Sequence, residues 1–421
     1  MSNSEKPVIS IPLDLPHIRV LGTEHTAEGN FILTVETTLE GTGCPKCGPF
    51  TTEFHGFDEW LQVRHLPILE RKVYIRLRPK RYRCPSCDGR PTTTQKLEWR
   101  EENSPNTKAY EDYILKRLIN STVEDVSRKE EIGDDAVEGV IERRVAKQVE
   151  WTEYRSLALL GIDEISRRKG HRDFIALVTA RLARGEVKVV GVLPDKTKQT
   201  GKQFWQSIPV SLKTTIKSVC TDLYEGFINA VKEEVPAARR VADRFHVAKA
   251  YREEVDKLRK KETKRLKKEL AKAEYEKLKG AMWAFRKRSA DLTEQDKEVL
   301  ERVLAASPEL NRAYEVREEL TGIFDQELSK EEARQELGVW QERVRESGVP
   351  GFEKFSGTLT NWLEEITNYF VARESSGFVE GVNNKIKVLK RRCYGIFNLS
   401  RLYQRLFLDF EGYDRFSKSP V

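Results

Sequence analysis

Leu157-Ala-Leu-Leu-Gly-Ile162-Asp163 decides how this chain is read, because an unbroken apolar run closed by a carboxylate is how a buried strand delivers an acid to the end of a sheet. A second stretch, Ile216-Lys-Ser-Val-Cys-Thr221-Asp222, closes the same way. Around these two, residues 173–181 and 187–193 also read as strands, with connections short enough for an antiparallel meander. A helix over roughly 203–209 leads into the Asp222 strand, and a helix over 225–234 leads into a last strand over 240–243.

Strand, strand, strand, helix, strand, helix, strand is the order of a ribonuclease-H-like core, in which the first and fourth strands are neighbours. That adjacency predicts Asp163 beside Asp222. A third acid lies far downstream in Ser375-Ser-Gly-Phe-Val-Glu380-Gly-Val-Asn-Asn-Lys385-Ile-Lys-Val-Leu-Lys390-Arg-Arg. Glu380 is the one carboxylate in a run that otherwise offers Lys385, Lys387, Lys390, Arg391 and Arg392 to a polyanion. It either neutralises a neighbour such as Lys387 or Lys390 or holds a cation against phosphate, and the two upstream aspartates favour the second. Bare carboxylates converging to about 4 Å repel by roughly 4 kcal/mol per pair at an effective dielectric near 20, which calls for a bound divalent metal. The bland alternative for either aspartate is a cap on the turn that follows it.

Upstream of the core, Cys44-Pro-Lys-Cys47-Gly and Cys84-Pro-Ser-Cys87-Asp-Gly are two knuckle-like turns whose four thiolates suit tetrahedral zinc. Residues 1–30 read as irregular and Pro-rich, followed by a strand from Phe31. The alternating run 72–83 reads as one strand with a basic outward face, so the module is a zinc ribbon that also touches phosphate. His55 and His65 are superfluous to a shell that four cysteines complete. Cys220 and Cys393 read as packing residues. From 106 to 150 the pattern turns helical, with Ser121 or Thr122 as a cap, a Gly-containing turn at 131–135, and a third helix over 136–149 carrying Arg143, Arg144 and Lys147. This is a helix-turn-helix candidate, although any three-helix bundle has the same pattern. Residues 247–370 are almost wholly helical and separate the sheet from Glu380 as an insertion.

At 421 residues, 38% hydrophobic and 33% charged, the chain is long enough for several domains and has no apolar run of the roughly 18 residues a membrane span needs. Nothing at its start resembles a signal peptide, so the expected location is cytoplasmic and nucleoid-associated. The net charge of +7 is modest for this length, so local clusters rather than overall charge point to nucleic acid. The expected organisation is an α/β multidomain protein: a zinc-binding β module over 1–100, a helix-turn-helix over 101–150, the first part of the core over 151–246, the helical insertion over 247–370, and the rest of the core with a C-terminal helix over 371–421.

With Gly161-Ile-Asp163-Glu, Thr221-Asp222-Leu-Tyr, Asp243-Arg-Phe-His246-Val, Glu380-Gly-Val-Asn-Asn-Lys-Ile-Lys and the closing Tyr394-Gly-Ile-Phe-Asn398 in hand, nearly the whole chain resembles the ISL-three group of bacterial insertion-sequence transposases, which belong to the DDE class. The resemblance implies DNA cleavage and strand transfer between terminal inverted repeats and target DNA, with double-stranded DNA as partner and a homodimer holding two ends in synapsis. It implies Asp163, Asp222 and Glu380 as the catalytic triad holding Mg2+ or Mn2+, with Asp163 shared between two ions, and structural Zn2+ on Cys44, Cys47, Cys84 and Cys87. The basic residues Arg143, Arg144, Lys147, Lys385, Lys387, Lys390, Arg391 and Arg392 are the expected DNA contacts, and Asp243 and His246 either order the site or pack against the sheet. Two other readings remain open on the residues alone: a domesticated DNA-binding protein with a vestigial core, and a structure-selective nuclease that cuts without joining.

Overall fold

The computed structural model describes residues 10–166, 174–183, 185–287, 289–349, 351–375, 377–393, 395 and 398–416, apart from the side chains of Ala290 and Glu380. Two compact units result, one made of the residues up to Ala146 together with those from Phe407, the other of Lys147–Leu406.

In the first unit a four-stranded sheet places Ile18–His25, Phe31–Thr37, Arg71–Leu77 and Leu61–Ile68 side by side. Val35, Val63, Val73, Ile75 and Leu77 form its core, the alternate residues of each strand, as the pleat requires. Ile18–His25 lies in the stretch expected to be irregular. It is an edge strand whose side chains are nearly all exposed, so it has no buried face to write an alternation into the sequence. The basic run 72–83 is two strands, Arg71–Leu77 and Lys80–Arg83, in different sheets. Pro79, with no amide hydrogen to give a ladder, sits at the break. Lys80–Arg83 joins Glu53–Phe57 and Thr92–Thr94 in a small sheet beside the cysteines.

Three helices follow, Lys108–Leu118, Val123–Glu130 and Asp134–Arg144. Thr107 and Thr122 cap the first two through side-chain oxygens that accept from Tyr110 and Asp125 amides. Tyr110, Ile114, Leu118, Val126, Val137, Val140 and Ile141 close the bundle, and Leu408 and Phe416 of the helix Leu399–Phe416 complete it. Near them the Asp409 carboxylate accepts the Asn120 amide at 2.9 Å. The third helix stops at Arg144, where Val145 turns extended, so the expected extension to residue 149 is corrected and Lys147 lies beyond the helix.

In the second unit the strands Ala158–Ser166, Phe174–Arg181, Val187–Leu193, Ile216–Thr221 and Arg239–Ala242 form one mixed sheet. Taken as first to fifth, their spatial order is third, second, first, fourth, fifth. The first three are antiparallel neighbours, and the first–fourth and fourth–fifth pairs are parallel. Two helices precede the fourth strand, Lys198–Ser207 and the single turn Val210–Lys213; the first starts five residues earlier than expected because Thr197 caps it and Gly201, Phe204 and Trp205 bury one face. Helix Glu225–Glu234 adds Phe227, Ala230 and Val231 to the same core. From the fifth strand the chain enters a 26-residue helix, Arg244–Glu269, and then a helical region reaching Tyr369–Ala372. Its core includes Leu320, Leu337, Trp340, Phe352 and Phe355. The helix Gly377–Arg392 then packs against the first strand.

Candidate active site

Parallel pairing of the first and fourth strands sets Gly161 opposite Cys220. Asp163 and Asp222 each stand two residues further on, and side chains repeat every two residues along a strand, so both carboxylates emerge on the same face at neighbouring positions. Asp163 is inside its strand rather than at its end, since pairing with Phe174–Arg181 continues to Ser166. Asp222 follows the last residue of its strand.

Gly161 determines how near the Gly377–Arg392 helix can come. A Cβ there would lie 2.6 Å from Val379 Cγ2 and 3.1 Å from Phe378 Cζ, so the helix rests on the glycine. One turn beyond Val379, Asn383 Nδ2 donates to Asp163 Oδ2. The Glu164 amide donates to Asp163 Oδ1 at 2.8 Å, and His246 Nε2 stands 3.7 Å from the same oxygen. His246 comes from the first turn of Arg244–Glu269, whose cap is Asp243: its carboxylate accepts the Phe245 amide at 3.0 Å. Position 380 lies three residues before Asn383 on its helix, a spacing that makes helical neighbours, while the Glu380 side chain is outside the described residues.

Burial pushes both aspartates above the usual carboxylate range. For Asp163 the half-buried His246, the Glu164 amide and Asn383 work against that rise. For Asp222 the Glu164 charge adds to it, with His246 and Thr221 opposing and Asp163 contributing further. Glu164 in turn meets Lys196 Nζ at 2.8 Å, which raises the lysine. Asp163, Asp222 and Glu164 therefore form a cluster of negative charge with hard oxygen donors. Asn383 Oδ1 is a buried acceptor with no hydrogen-bond partner among the described residues. Two neighbouring carboxylates and an unsatisfied buried amide oxygen are the hard donors that a divalent cation takes.

Asn383, Glu164 and Lys196 are the neighbours that sequence reading missed. Asn383 was signalled only by its place three residues after Glu380. Of the basic residues on this helix, Lys390 donates to the Ser166 carbonyl, and Lys385 and Arg392 also interact within the chain. Lys387 and Arg391, one turn apart, are exposed.

In the first unit the sulfurs of Cys44, Cys47, Cys84 and Cys87 all lie within 4.8 Å of one another. Cys44 and Cys87 are 3.9 Å apart and Cys47 and Cys84 3.5 Å, against an edge of about 3.8 Å for a tetrahedron with Zn–S near 2.3 Å. The Cys47 and Lys46 amides hold the Cys44 thiol down at about 6, while hydrogen bonds shared with Cys87 and Cys84 push Cys47 up to about 12, so without a metal the cluster favours one thiolate among neighbouring thiols. The residues therefore fit structural zinc. His65 is buried against Thr107 Oγ1 at 3.0 Å and His55 meets Arg83, so neither joins the cluster.

Arg143 donates from Nε and Nη2 to Glu111 Oε1 at 2.9 and 2.6 Å, and Glu111 is wholly buried. Arg144 pairs with Asp112 at 2.7 Å. Both arginines thus tie the third helix to the first.

A four-cysteine knuckle, a three-helix bundle and paired carboxylates on a mixed sheet are the parts of a metal-dependent DNA-processing enzyme. Residues 160–406 match the ISL3-type DDE family described as transposase, residues 40–87 the zinc-finger of transposase IS204/IS1001/IS1096/IS1165, and residues 95–145 the helix-turn-helix domain of transposase family ISL3. The chain belongs to the ISL3 family of transposases. It is similar to the transposase for insertion sequence element IS1001 of Bordetella parapertussis, 26% identical over 370 residues that cover 88% of this chain and 89% of the relative. It is also similar to the transposase for insertion sequence element IS1557 of Mycobacterium tuberculosis, 24% identical over 393 residues that cover 88% and 86%. Among the described residues no helix is long and apolar enough to cross a membrane.

Proposed function

We propose that this transposase cuts and joins DNA at the ends of its insertion sequence, with Asp163, Asp222 and Glu380 as the catalytic carboxylates. The observation that carries the reading is the convergence of two strands and a helix: parallel pairing aligns Asp163 with Asp222, and Asn383 of the Glu380 helix donates to Asp163. The strand order supports a ribonuclease-H-like core, with the helices from Arg244 to Ala372 inserted before its last helix.

Mg2+ or Mn2+ bound by these acids would stabilise the charge that builds on the attacked phosphate. The chain's own part is positioning. Asn383 and the Glu164 amide orient the Asp163 carboxylate, His246 faces it at 3.7 Å, and Thr221 Oγ1 holds Asp222 at 3.2 Å. In the first reaction water attacks a phosphodiester at an element end, its oxygen staying on the 5′ phosphate as the 3′ hydroxyl leaves; that hydroxyl then attacks a target phosphodiester and displaces the target's own 3′ oxygen. Exposed Lys387 and Arg391 meet substrate phosphate. In the first unit the zinc module and helix-turn-helix read the terminal inverted repeats, where Arg143 and Arg144 act by fixing the third helix. Joining needs two ends at once, which favours a homodimer working on DNA in the nucleoid.

The test is Asp222→Asn: cleavage of DNA carrying the sequences that flank the gene is lost while binding to that DNA persists. Unchanged cleavage sinks the assignment. Cleavage without joining of precut ends to a target would make the chain a nuclease instead.

A further inference from the structure

We propose that the cleft beside the helix Arg244–Glu269 seats an unpaired DNA strand next to the carboxylate site, with phosphates on Lys249, Arg252 and Arg286 and a base on Phe245. The proposal rests on the cutting-and-joining function above and adds the state of the DNA that reaches it.

The helix begins at the site, where His246 stands 3.7 Å from Asp163, and runs 26 residues, about 39 Å at 1.5 Å per residue. Val247, Tyr251, Val255, Leu258 and Leu266 bury one side of it. Two clefts open along its first half and share Phe245 and Arg252. One, of about 320 Å³, reaches Gly377 at the start of the Glu380 helix. The other, of about 480 Å³, extends to Phe285 and Arg286 in the inserted helices. Phe245 lines both clefts, one residue before the His246 that faces Asp163.

The larger cleft is lined by seven basic residues against two acidic ones. Several of the seven are occupied: Arg259 and Lys260 meet Asp256, Lys257 meets Glu254, and Arg317 donates to the Phe285 and Lys287 carbonyls. Lys249, Arg252 and Arg286 are exposed and form no ion pair among the described residues. Further out on the same helix Lys261, Lys264 and Lys268 are likewise exposed and continue the basic side. A row of like charges repels itself, and a polyanion removes that cost.

Charge alone would suit any form of DNA. The aromatic residues distinguish among them. Phe245 is 53% exposed, and Trp283, under the Arg286 guanidinium at 5.7 Å, is 60% exposed. In a duplex each base already stacks on its neighbours, so an exposed ring gains nothing from it; an unpaired base offers a free face. Cations interleaved with exposed rings in a concave channel are the recognition chemistry of a single strand.

The experiment measures anisotropy of the full-length, zinc-loaded protein with fluorescein-labelled oligothymidylate of about 15 nucleotides, and with a duplex of equal length, over a range of salt. The double variant Lys249→Ala/Arg252→Ala should lose about tenfold in single-strand affinity and flatten the log-log salt slope by about 1.4, two phosphates at 0.7 each. Phe245→Ala should lose about tenfold with its slope unchanged, as expected for lost stacking. Duplex affinity should change less than about twofold in both. All three positions are exposed, and matching melting curves verify folding. Unchanged single-strand affinity overturns the inference, as does an equal loss with duplex. If the wild type cuts DNA yet both variants bind oligothymidylate normally, only the cleft assignment falls. If the variants lose oligothymidylate but the wild type cuts no flanking DNA with Mg2+ or Mn2+, the transposition chemistry falls and the cleft stands.

Discussion

The cysteine knuckle and the carboxylate site, which we propose as the catalytic metal site, meet the cost of gathering charge differently. In the knuckle four sulfurs from two short turns already sit at near-tetrahedral spacing, and backbone amides favour a thiolate at Cys44. In the second unit, burial works against the charged form of both Asp163 and Asp222. The knuckle sits between short strands whose own cores are small, so its metal is part of the fold. The carboxylates are carried by a sheet whose core, Leu160, Ile162, Val178, Val219 and Phe227 among others, holds without them. On the proposed function their unfavourable charge awaits a cation and a phosphate.

Removing zinc should have the largest effect. Structural zinc contributes on the order of 10–16 kcal/mol in small modules, more than the surrounding strands can replace. Chelation, or Cys84→Ala, should unfold the region around residues 40–95 and leave Lys147–Leu406 folded. Hydrogen exchange read peptide by peptide separates the two. Protection in the knuckle that survives chelation would erase the contrast drawn above.

Asp222→Asn comes next. It should cost at least about a thousandfold in cleavage, roughly 4 kcal/mol of transition-state stabilisation, with little change in folding because the amide keeps the shape. Here the metal site fails while its fold persists, the reverse of Cys84→Ala. A variant that aggregated instead would mean that the carboxylate is structural.

The contrast also explains what was legible in the sequence. Strands buried on both faces announce themselves as apolar runs, and a carboxylate closing such a run is conspicuous, so the Asp163 and Asp222 strands could be read and their adjacency followed from element order. The cysteine pairs carry their geometry in a short spacing. What escaped depends on partners distant in the chain. Arg143 looks like a surface cation until Glu111 is found buried beneath it, 32 residues away. Asn383 gains meaning only once Gly161 lets its helix settle on the first strand. Ile18–His25 has no buried face, and the residues from Phe407 complete the first unit through packing that no local pattern records.

Asn383→Ala tests whether the carboxylate site is preorganised by its neighbours. Its amide orients Asp163 without being a charged ligand, and groups of that kind commonly contribute 10–100-fold in metal affinity or activity. The expected result is a metal requirement shifted upward by about that factor, with cleavage largely restored at high Mn2+. A loss that no metal concentration repairs would instead make Asn383 part of the reaction itself.

The smallest effect follows from the raised carboxyls. A group that binds its proton more tightly folded than unfolded stabilises the fold through the protonated form. That contribution is complete below the unfolded carboxylate range, about 3.9 for aspartate, and is lost as pH rises through the raised folded values. The metal-free core should therefore lose some stability between acidic and neutral pH because of Asp163 and Asp222. Asp163→Asn/Asp222→Asn should remove that loss, so at neutral pH the inactive variant should melt above the metal-free wild type, and the difference should vanish in acid. Adding Mg2+ should raise the wild type and leave the variant where it was, because only the wild type gains a ligand of its folded state. Thermal melts at several pH values, with and without Mg2+, decide it: a variant that melts lower than the metal-free wild type at neutral pH would show that the two acids support the sheet, as the cysteines support their module, and the distinction between the two sites would fail.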